Sequence, residues 1–145
     1  MNIPRDDGST QTADHTFLLT TALAYAQRGW RVFPLHTLTT DGCSCGKETC
    51  GDQAGKHPRY HHDDLAHGHN NATRDPDLIQ RWWTRWPDAN IGVATGQISG
   101  FVVIDVDPRN GGQLTLDDLE VEHGKFPPTV ESLTGGGGRH RVCSG

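Results

Sequence analysis

Two aspartates one residue apart, Asp105 and Asp107, have the type and spacing in this sequence that point most directly to chemistry. They end an apolar segment, GFVVIDVD (100–107), that is typical of a β-strand. Because side chains alternate along a strand, both carboxylates are expected on one face, with Cα atoms about 7 Å apart. Carboxylate oxygens suit Mg²⁺ or Mn²⁺, so the pair predicts a divalent-metal site. The alternative is a plain polar turn, because DPRNGG is also a strong turn sequence.

A glycine-rich segment, TGGGGRHRV, follows later in the chain. Its four glycines allow the backbone to approach a ligand closely and to offer amides to phosphate. Arg139 could add charge, and His140 could donate to a phosphate oxygen. The alternative is a hairpin turn with an ordinary strand histidine, since the spacing is not that of a Rossmann or Walker loop. The candidate nucleotide- or phosphate-binding residues are Gly136, Gly137, Gly138, Arg139 and His140.

Three of the four cysteines lie within eight residues of one another, at positions 43, 45 and 50. With His57 they form a C-x-C-x4-C-x6-H pattern, whose three thiolates and one imidazole suit a structural tetrahedral zinc ion. Free thiols in a loop are the alternative. The fourth ligand stays open at this point, because five other histidines are near in sequence: His36, His61, His62, His67 and His69.

Aromatic and basic residues around this loop allow two interpretations. Trp82, Trp83 and Trp86 lie at helical spacing with Ile79, which favours a core face over stacking on bases. Three basic residues flank the cysteine loop and could meet phosphates, although isolated surface charges are more often solvated: Lys56, Arg59 and Arg74.

The elements that must position these residues follow from hydrophobic periodicity and from helix-capping signals. Helices are predicted over about 15–28, with Asp14 as the cap, over 75–86 and over 113–123, and strands over 30–35, 90–96, 100–107, 129–134 and 139–143. Val102, Ile104 and Val106 are expected to face the core. Residues 36–74 have almost no periodicity, which indicates an inserted loop rather than core. The pattern predicts an α/β (α+β) fold, with a mixed, partly antiparallel sheet and packed helices.

Bulk composition limits the class of protein. The 145 residues are 33% hydrophobic with a net charge of -5, which suits one polar globular domain and argues only weakly against nucleic acid. No apolar stretch approaches the roughly 20 residues of a membrane helix. The N-terminus lacks an apolar signal core, so we expect a cytoplasmic protein without membrane contact.

Five stretches, taken in chain order, resemble the N-terminal catalytic domain of the bifunctional DNA primase/polymerases (prim-pol), within the archaeo-eukaryotic primase superfamily. They are ALAYAQRGWRVFPL, the cysteine loop ending in GKHP, DPDLIQRWWTRWPDANIGVATG, GFVVIDVDPRNGG and LTGGGGRH. Together they cover most of residues 17–140.

The resemblance implies nucleotidyl transfer from (d)NTPs on a DNA template or primer, in DNA replication, with two divalent ions, Mg²⁺ or Mn²⁺. It gives Asp105 and Asp107 the role of holding those ions. It gives His140 contact with the phosphates of the incoming nucleotide. The cysteine loop would be a zinc-binding insertion, often linked to primer initiation, and a replicative helicase is an implied partner.

The family also has a third acidic motif downstream of the histidine strand, whereas this sequence ends at Gly145. We therefore expect a flexible arm over 1–13 and a partial, C-terminally truncated catalytic domain over 14–145, with the zinc loop at about 36–74 and weak or no activity alone. One alternative is a non-catalytic, zinc-containing nucleic-acid-binding remnant. A D-x-D glycosyltransferase-type metal enzyme ranks last, because it gives the cysteine loop no role.

Overall fold

A computed structural model of the protein describes residues 9–144, with side chains from Thr16 onward. The elements are α1 (Ser9–Gln27), β1 (Arg31–Leu35), β2 (Leu38–Thr39), β3 (Gly42–Cys43), α2 (Pro76–Arg85), β4 (Asn90–Ala94), β5 (Phe101–Val106), α3 (Gly112–His123), β6 (Val130–Leu133) and β7 (Arg139–Ser144), with short 3-10 turns at Glu48–Gln53, Gly68–Asn71 and Pro108–Asn110. The α/β class is confirmed. All the recorded strand pairs are antiparallel, and they form three small sheets. The chain divides into two compact units, Met1–Ala94 and Thr95–Gly145.

Helix α1 begins earlier than the sequence predicts. It starts at Ser9, so Asp14 lies inside the helix rather than at its cap. The predicted N-terminal arm therefore overlaps α1 at residues 9–13, and its residues 1–8 lie outside the described part of the chain. At the other end, Gly29 takes a positive φ of 92° that favours glycine, as is typical of a residue that follows a helix.

The core of the first unit lies between α1, α2 and the β1–β4 pair. Ile79, Trp82 and Trp83 of α2 are buried, which confirms the core interpretation for two of the three tryptophans. Asp75 caps α2 by accepting a hydrogen bond from the Asp77 amide at 3.0 Å. The cap and the apolar face together fix how α2 begins and which side it buries.

The segment 36–74 contributes to the core, which corrects the expectation of an inserted loop outside it. Leu65 and Ala72 are buried with the first unit's core cluster. Single antiparallel bridges tie the segment to β1, at Leu35 with Pro58 and at Val32 with Thr73. Hydrophobic spacing did not reveal this, because isolated apolar residues in an irregular segment carry no period.

The second unit is a three-stranded sheet in the order β5-β7-β6, with helix α3. Val106 of β5 and Leu116 of α3 are buried. The expectation that Val102 and Ile104 also feed a core is wrong, since both are exposed. One helix and three short strands are too few to cover both faces of a sheet.

No helix in the described part of the chain combines the length and apolar character needed to span a bilayer.

Candidate functional site

Strand register in the second unit aligns three polar side chains in a row, Asp105, His140 and Ser132. Asp105 of β5 pairs with His140 of β7, which pairs in turn with Ser132 of β6. Directly paired residues point to the same face of an antiparallel sheet. His140 Nε2 lies 3.6 Å from Asp105 Oδ1, and these side chains are 44% and 63% exposed. The structure thus brings together two predicted site residues that are 35 positions apart in the sequence, on a face open to solvent.

Asp107 is engaged by its own turn. It ends β5 and caps the 3-10 turn Pro108–Asn110, where its Oδ1 accepts from the Arg109 amide at 2.9 Å. The Arg109 side chain donates to both carboxylate oxygens at 3.2 and 3.4 Å, and Asn110 Nδ2 donates to Oδ2 at 2.9 Å. Hydrogen bonds from Arg109 and Asn110 hold the pKa of Asp107 below its usual value. The carboxylate is therefore ionised, and both of its oxygens already accept hydrogen bonds from Arg109 and Asn110.

The two aspartates do not meet in a ready cluster of ligands. Among the described residues, groups of three or more metal-ligating side chains occur at the cysteine loop and at His61–His62–Asp63, and neither group includes Asp105 or Asp107. The turn interpretation of the D-x-D motif thus holds for Asp107, whereas the metal interpretation stays a prediction. Asp107 forms the turn, while Asp105 stays accessible.

The glycine-rich segment is the hairpin between β6 and β7. Gly137 N–H donates to Thr134 O at 3.0 Å, and Gly138 N–H donates to Thr134 Oγ1 at 2.9 Å, so both amides are used inside the turn. A Cβ at Gly138 would lie 2.9 Å from Val106 O, which explains the need for glycine there. Arg139 is exposed, and strand alternation points it to the face opposite His140.

The cysteine loop brings its four predicted ligands together. The Sγ atoms of Cys43, Cys45 and Cys50 and the His57 Nε2 atom all lie within 4.8 Å of one another. Cys45 and Cys50 Sγ are 3.2 Å apart, and His57 Nε2 is 3.3 Å from Cys43 Sγ and 3.6 Å from Cys50 Sγ. The sulfurs are too far apart for a disulfide and close to the roughly 3.8 Å edge of a tetrahedral zinc–thiolate site. This Cys₃His group could hold zinc.

The surroundings shift the pKa values of two cysteines in this loop in opposite directions. Backbone N–H groups of Cys45 and Gly55 lower the pKa of the Cys43 thiol to about 6. A hydrogen bond with the Cys45 sulfur raises the pKa of the Cys50 thiol to about 11. At neutral pH, Cys43 is therefore a thiolate and Cys50 a thiol, so zinc binding would displace protons from the group.

Neighbouring backbone and side chains hold the loop in place. Asn90 Nδ2, at the start of β4, donates to Gly55 O at 3.1 Å and to His36 O at 3.2 Å. His36 Nδ1 lies 2.8 Å from Ser44 Oγ, between the first two cysteines, and burial with the nearby Arg59 charge lowers the pKa of His36 to about 4. His36 is therefore a neutral support for the loop. Sequence reasoning missed the support from Asn90, which has no signal in the local pattern.

Two of the other histidines that the sequence left open as a fourth ligand lie in a different group. His61 and His62 group with Asp63, with His62 Nε2 at 3.1 Å from Asp63 Oδ1. Sequence reasoning also missed Ser132, because its alignment with His140 depends on strand register.

Comparison with known proteins gives one result at the family level. The family model described as "Bifunctional DNA primase/polymerase, N-terminal" matches residues 22–144. Neither the curated proteins nor the solved structures contain a match to this chain. The matched span includes the cysteine loop, both aspartates and His140.

Proposed function

The chain belongs to the N-terminal domain family of the bifunctional DNA primase/polymerases, and from this membership we propose that it performs template-directed nucleotidyl transfer in DNA replication. A DNA primase/polymerase-like function holds at the family level. The observation that supports catalysis by this chain is the pair of Asp105 and His140 on the open sheet face, within the matched span. The substrates would be (d)NTPs, and the partner a DNA template or primer.

Asp105 and Asp107 are the residues that would hold Mg²⁺ or Mn²⁺. Both are oxygen donors of the kind these ions prefer, and Asp105 is accessible as it stands. Asp107 could bind an ion only after its carboxylate gives up the hydrogen bonds that it accepts from Arg109 and Asn110. Bound divalent ions supply activation of the attacking hydroxyl and charge neutralisation at the leaving group.

His140 has the role of positioning the phosphates of the nucleotide. Its ring is directed to the same face as Asp105, so it can donate a hydrogen bond to a phosphate oxygen beside the bound ion. Catalysis then depends mainly on positioning and on electrostatic stabilisation. The glycines form the turn before β7, and Arg139, the first residue of β7, would add positive charge for a phosphate. Two of the proposed phosphate donors, the Gly137 and Gly138 amides, would have to leave their turn bonds first.

Zinc would be a structural ion of the cysteine loop. Cys43, Cys45, Cys50 and His57 fit a closed tetrahedral set, with no position left for a substrate. The ion would hold a segment that has few apolar contacts of its own. A replicative helicase as partner stays a prediction.

A specific observation favours the second candidate, a non-catalytic zinc-containing nucleic-acid-binding protein. Both oxygens of Asp107 are bound by cationic or amide donors of the same turn. If Arg109 holds that carboxylate permanently, only Asp105 is left to bind an ion. The glycosyltransferase interpretation is set aside, because the family match covers its D-x-D motif.

Primer extension on a labelled primer–template, with dNTPs or NTPs and Mg²⁺ or Mn²⁺, tests the proposal. We expect Asp105→Ala to lower the rate at least ~100-fold and His140→Ala to lower it by a similar order, through lost transition-state stabilisation. Asp118→Ala, which removes an exposed carboxylate from α3, is the matched control and should match the unaltered chain. Synthesis that survives Asp105→Ala contradicts the proposal, and DNA binding without any synthesis supports the second candidate.

A further inference from the structure

A cavity of about 450 Å³ opens against the Cys₃His group in the first unit, and Cys45 and His57 of that group form part of its lining. This volume is within the range of about 300–1,000 Å³ that is typical of small-molecule sites. Its lining combines two aromatic rings with polar and basic side chains. The residues that matter here are Tyr60, Trp86, Lys47, Arg59, Ser44 and His36.

The two aromatic rings of the cavity, Tyr60 and Trp86, are more exposed than the two inner tryptophans of α2. Trp86 caps the end of α2 and is only partly buried, whereas Trp82 and Trp83 are in the core. The guanidinium groups of Arg59 and Arg85 lie 5.7 and 5.1 Å from the Trp86 ring centroid. These contacts hold the Trp86 ring in place. Tyr60 is 67% exposed and lines the cavity, so its ring is available to a ligand there.

Arg59 gives the cavity a rigid wall. It is only 8% exposed, its Nε donates to Leu35 O at 3.2 Å, and its Nη2 pairs with Asp88 Oδ2 at 3.0 Å. Asp88 therefore offsets much of the Arg59 charge, while Lys47 adds a positive charge to the lining. A ligand here would gain mainly from aromatic contact and only in part from charge.

We propose that this cavity binds an unpaired nucleobase together with its phosphate, by stacking on Tyr60 and by contact with Lys47. A ring that stacks and a single cation are the chemistry of sequence-tolerant single-strand binding, since every base has a π-face. The base could belong to single-stranded DNA or to a free nucleotide. The inference rests on the proposed function for its ligand class, but it concerns a different unit from the Asp105–His140–Ser132 row.

The test is fluorescence anisotropy of a short labelled oligothymidylate with the full, zinc-loaded chain. We expect Tyr60→Ala to weaken binding roughly 5- to 150-fold, which is the effect of one lost stacked base. Tyr60→Phe should stay within about twofold, because the ring remains. Phe17→Ala is the matched control, since Phe17 is 66% exposed on α1 and outside the cavity, and it should leave binding unchanged. Lys47→Gln should reduce the slope of log K against log salt by about 0.7.

Two further measurements keep the outcomes apart. Titration with dATP in place of the oligonucleotide distinguishes a free nucleotide from a DNA strand as the source of the base. Tyr60→Leu keeps apolar bulk without an aromatic ring and should resemble Tyr60→Ala, while zinc content and melting temperature stay at the values of the unaltered chain.

Equal binding by Tyr60→Ala and Phe17→Ala overturns the inference, as does an unaltered chain that binds neither probe. Tyr60-dependent binding without any synthesis rejects only the proposed catalysis. Synthesis with binding that does not depend on Tyr60 rejects only this site.

Discussion

Asp107 shows at the level of one side chain why a D-x-D motif has two meanings. The same carboxylate that could bind an ion also caps the turn after β5 and holds Arg109. Gly112 makes the arrangement tight, since a Cβ there would lie 2.7 Å from Asp107 O. The Asp107 side chain therefore has a role in the turn whether or not an ion binds, whereas no hydrogen bond of the turn involves Asp105. Asp105 is the residue whose presence calls for a functional reason.

Replacing Arg109 tests the competition for Asp107. We expect Arg109→Ala to tighten Mn²⁺ binding about two- to fivefold, because the metal no longer has to displace the exposed ion pair with Arg109. Calorimetric titration of the metal measures the change. Arg139→Ala removes an equal charge from β7 without touching Asp107, so it separates competition from a general electrostatic effect. A similar gain in both variants would contradict the competition.

The Arg59–Asp88 pair makes a pH-dependent contribution to stability. Burial raises the pKa of Asp88, but the Thr37 hydroxyl and the Arg59 charge outweigh it, so the net pKa lies below its usual value. A lowered folded-state pKa gives stability that is complete above the unfolded value of about 3.9 and is lost as the pH falls through the folded value.

The substitution Asp88→Asn should therefore lower the free energy of unfolding at pH 6 and have a smaller effect at pH 3. We expect a loss below about 1 kcal/mol, since the Asp88 side chain is 48% exposed and solvent screens the pair. Urea denaturation at both pH values measures this loss. The variant and the unaltered chain are compared at the same pH, so that any release of zinc in acid affects both equally. Asp41→Asn, at another exposed position, is the control. An equal loss for Asp88→Asn at pH 6 and pH 3 would refute the assignment.

At the level of elements, the cysteine loop depends on very short regular structure. The β2–β3 hairpin places Cys43, and the 3-10 turn Glu48–Gln53 places Cys50. Two-residue strands of this kind are not stable alone in water. The loop therefore takes its order from contacts to β1 and β4, and an ion shared by its cysteines would add to that order.

Metal analysis tests this account of the loop. The purified chain should contain about one zinc per molecule, and Cys50→Ser should lose most of it, because three ligands bind the ion far more weakly than four. Cys143→Ser is the matched control, since Cys143 is on β7 and its Sγ faces Arg141 O at 3.8 Å. It should keep full zinc content. Equal zinc content in the two variants would exclude this ligand set.

At the level of the whole molecule, the two units differ in the size of their cores. The buried cluster of the first unit includes Val32, Phe33, Leu65, Ile79 and both inner tryptophans. In the second unit the buried hydrophobic residues are Phe101, Val106 and Leu116. Burial of apolar surface is the main stabilising contribution, so most of the stability should reside in residues 1–94.

A fragment of residues 1–94 should therefore fold alone and bind zinc. All four tryptophans of the sequence lie in this part, at positions 30, 82, 83 and 86, so their fluorescence reports on it directly. We expect the fragment to have the same emission maximum as the full chain and to shift to the red only in denaturant. A fragment that already emits at the denatured wavelength would show that the first unit depends on the second.

Local features of this protein could be read from the sequence alone. The start of α2 at Asp75 and Pro76, the strand that ends in Asp105 and Asp107, and the spacing of the cysteines were all predicted. The family followed from short motifs in chain order. Caps, periodicities and ligand spacings involve residues a few positions apart, and such short-range preferences are present in the chain before it folds.

Only the tertiary structure decided how distant residues meet. Strand register placed Asp105 beside His140, packing buried Leu65 within an irregular segment, and the end of α2 left Trp86 beside Tyr60 at a cavity. These outcomes depend on contacts between segments far apart in the chain. A one-residue shift in register would move a strand's side chains to the other face, and which register forms depends on what the strand packs against in the folded chain.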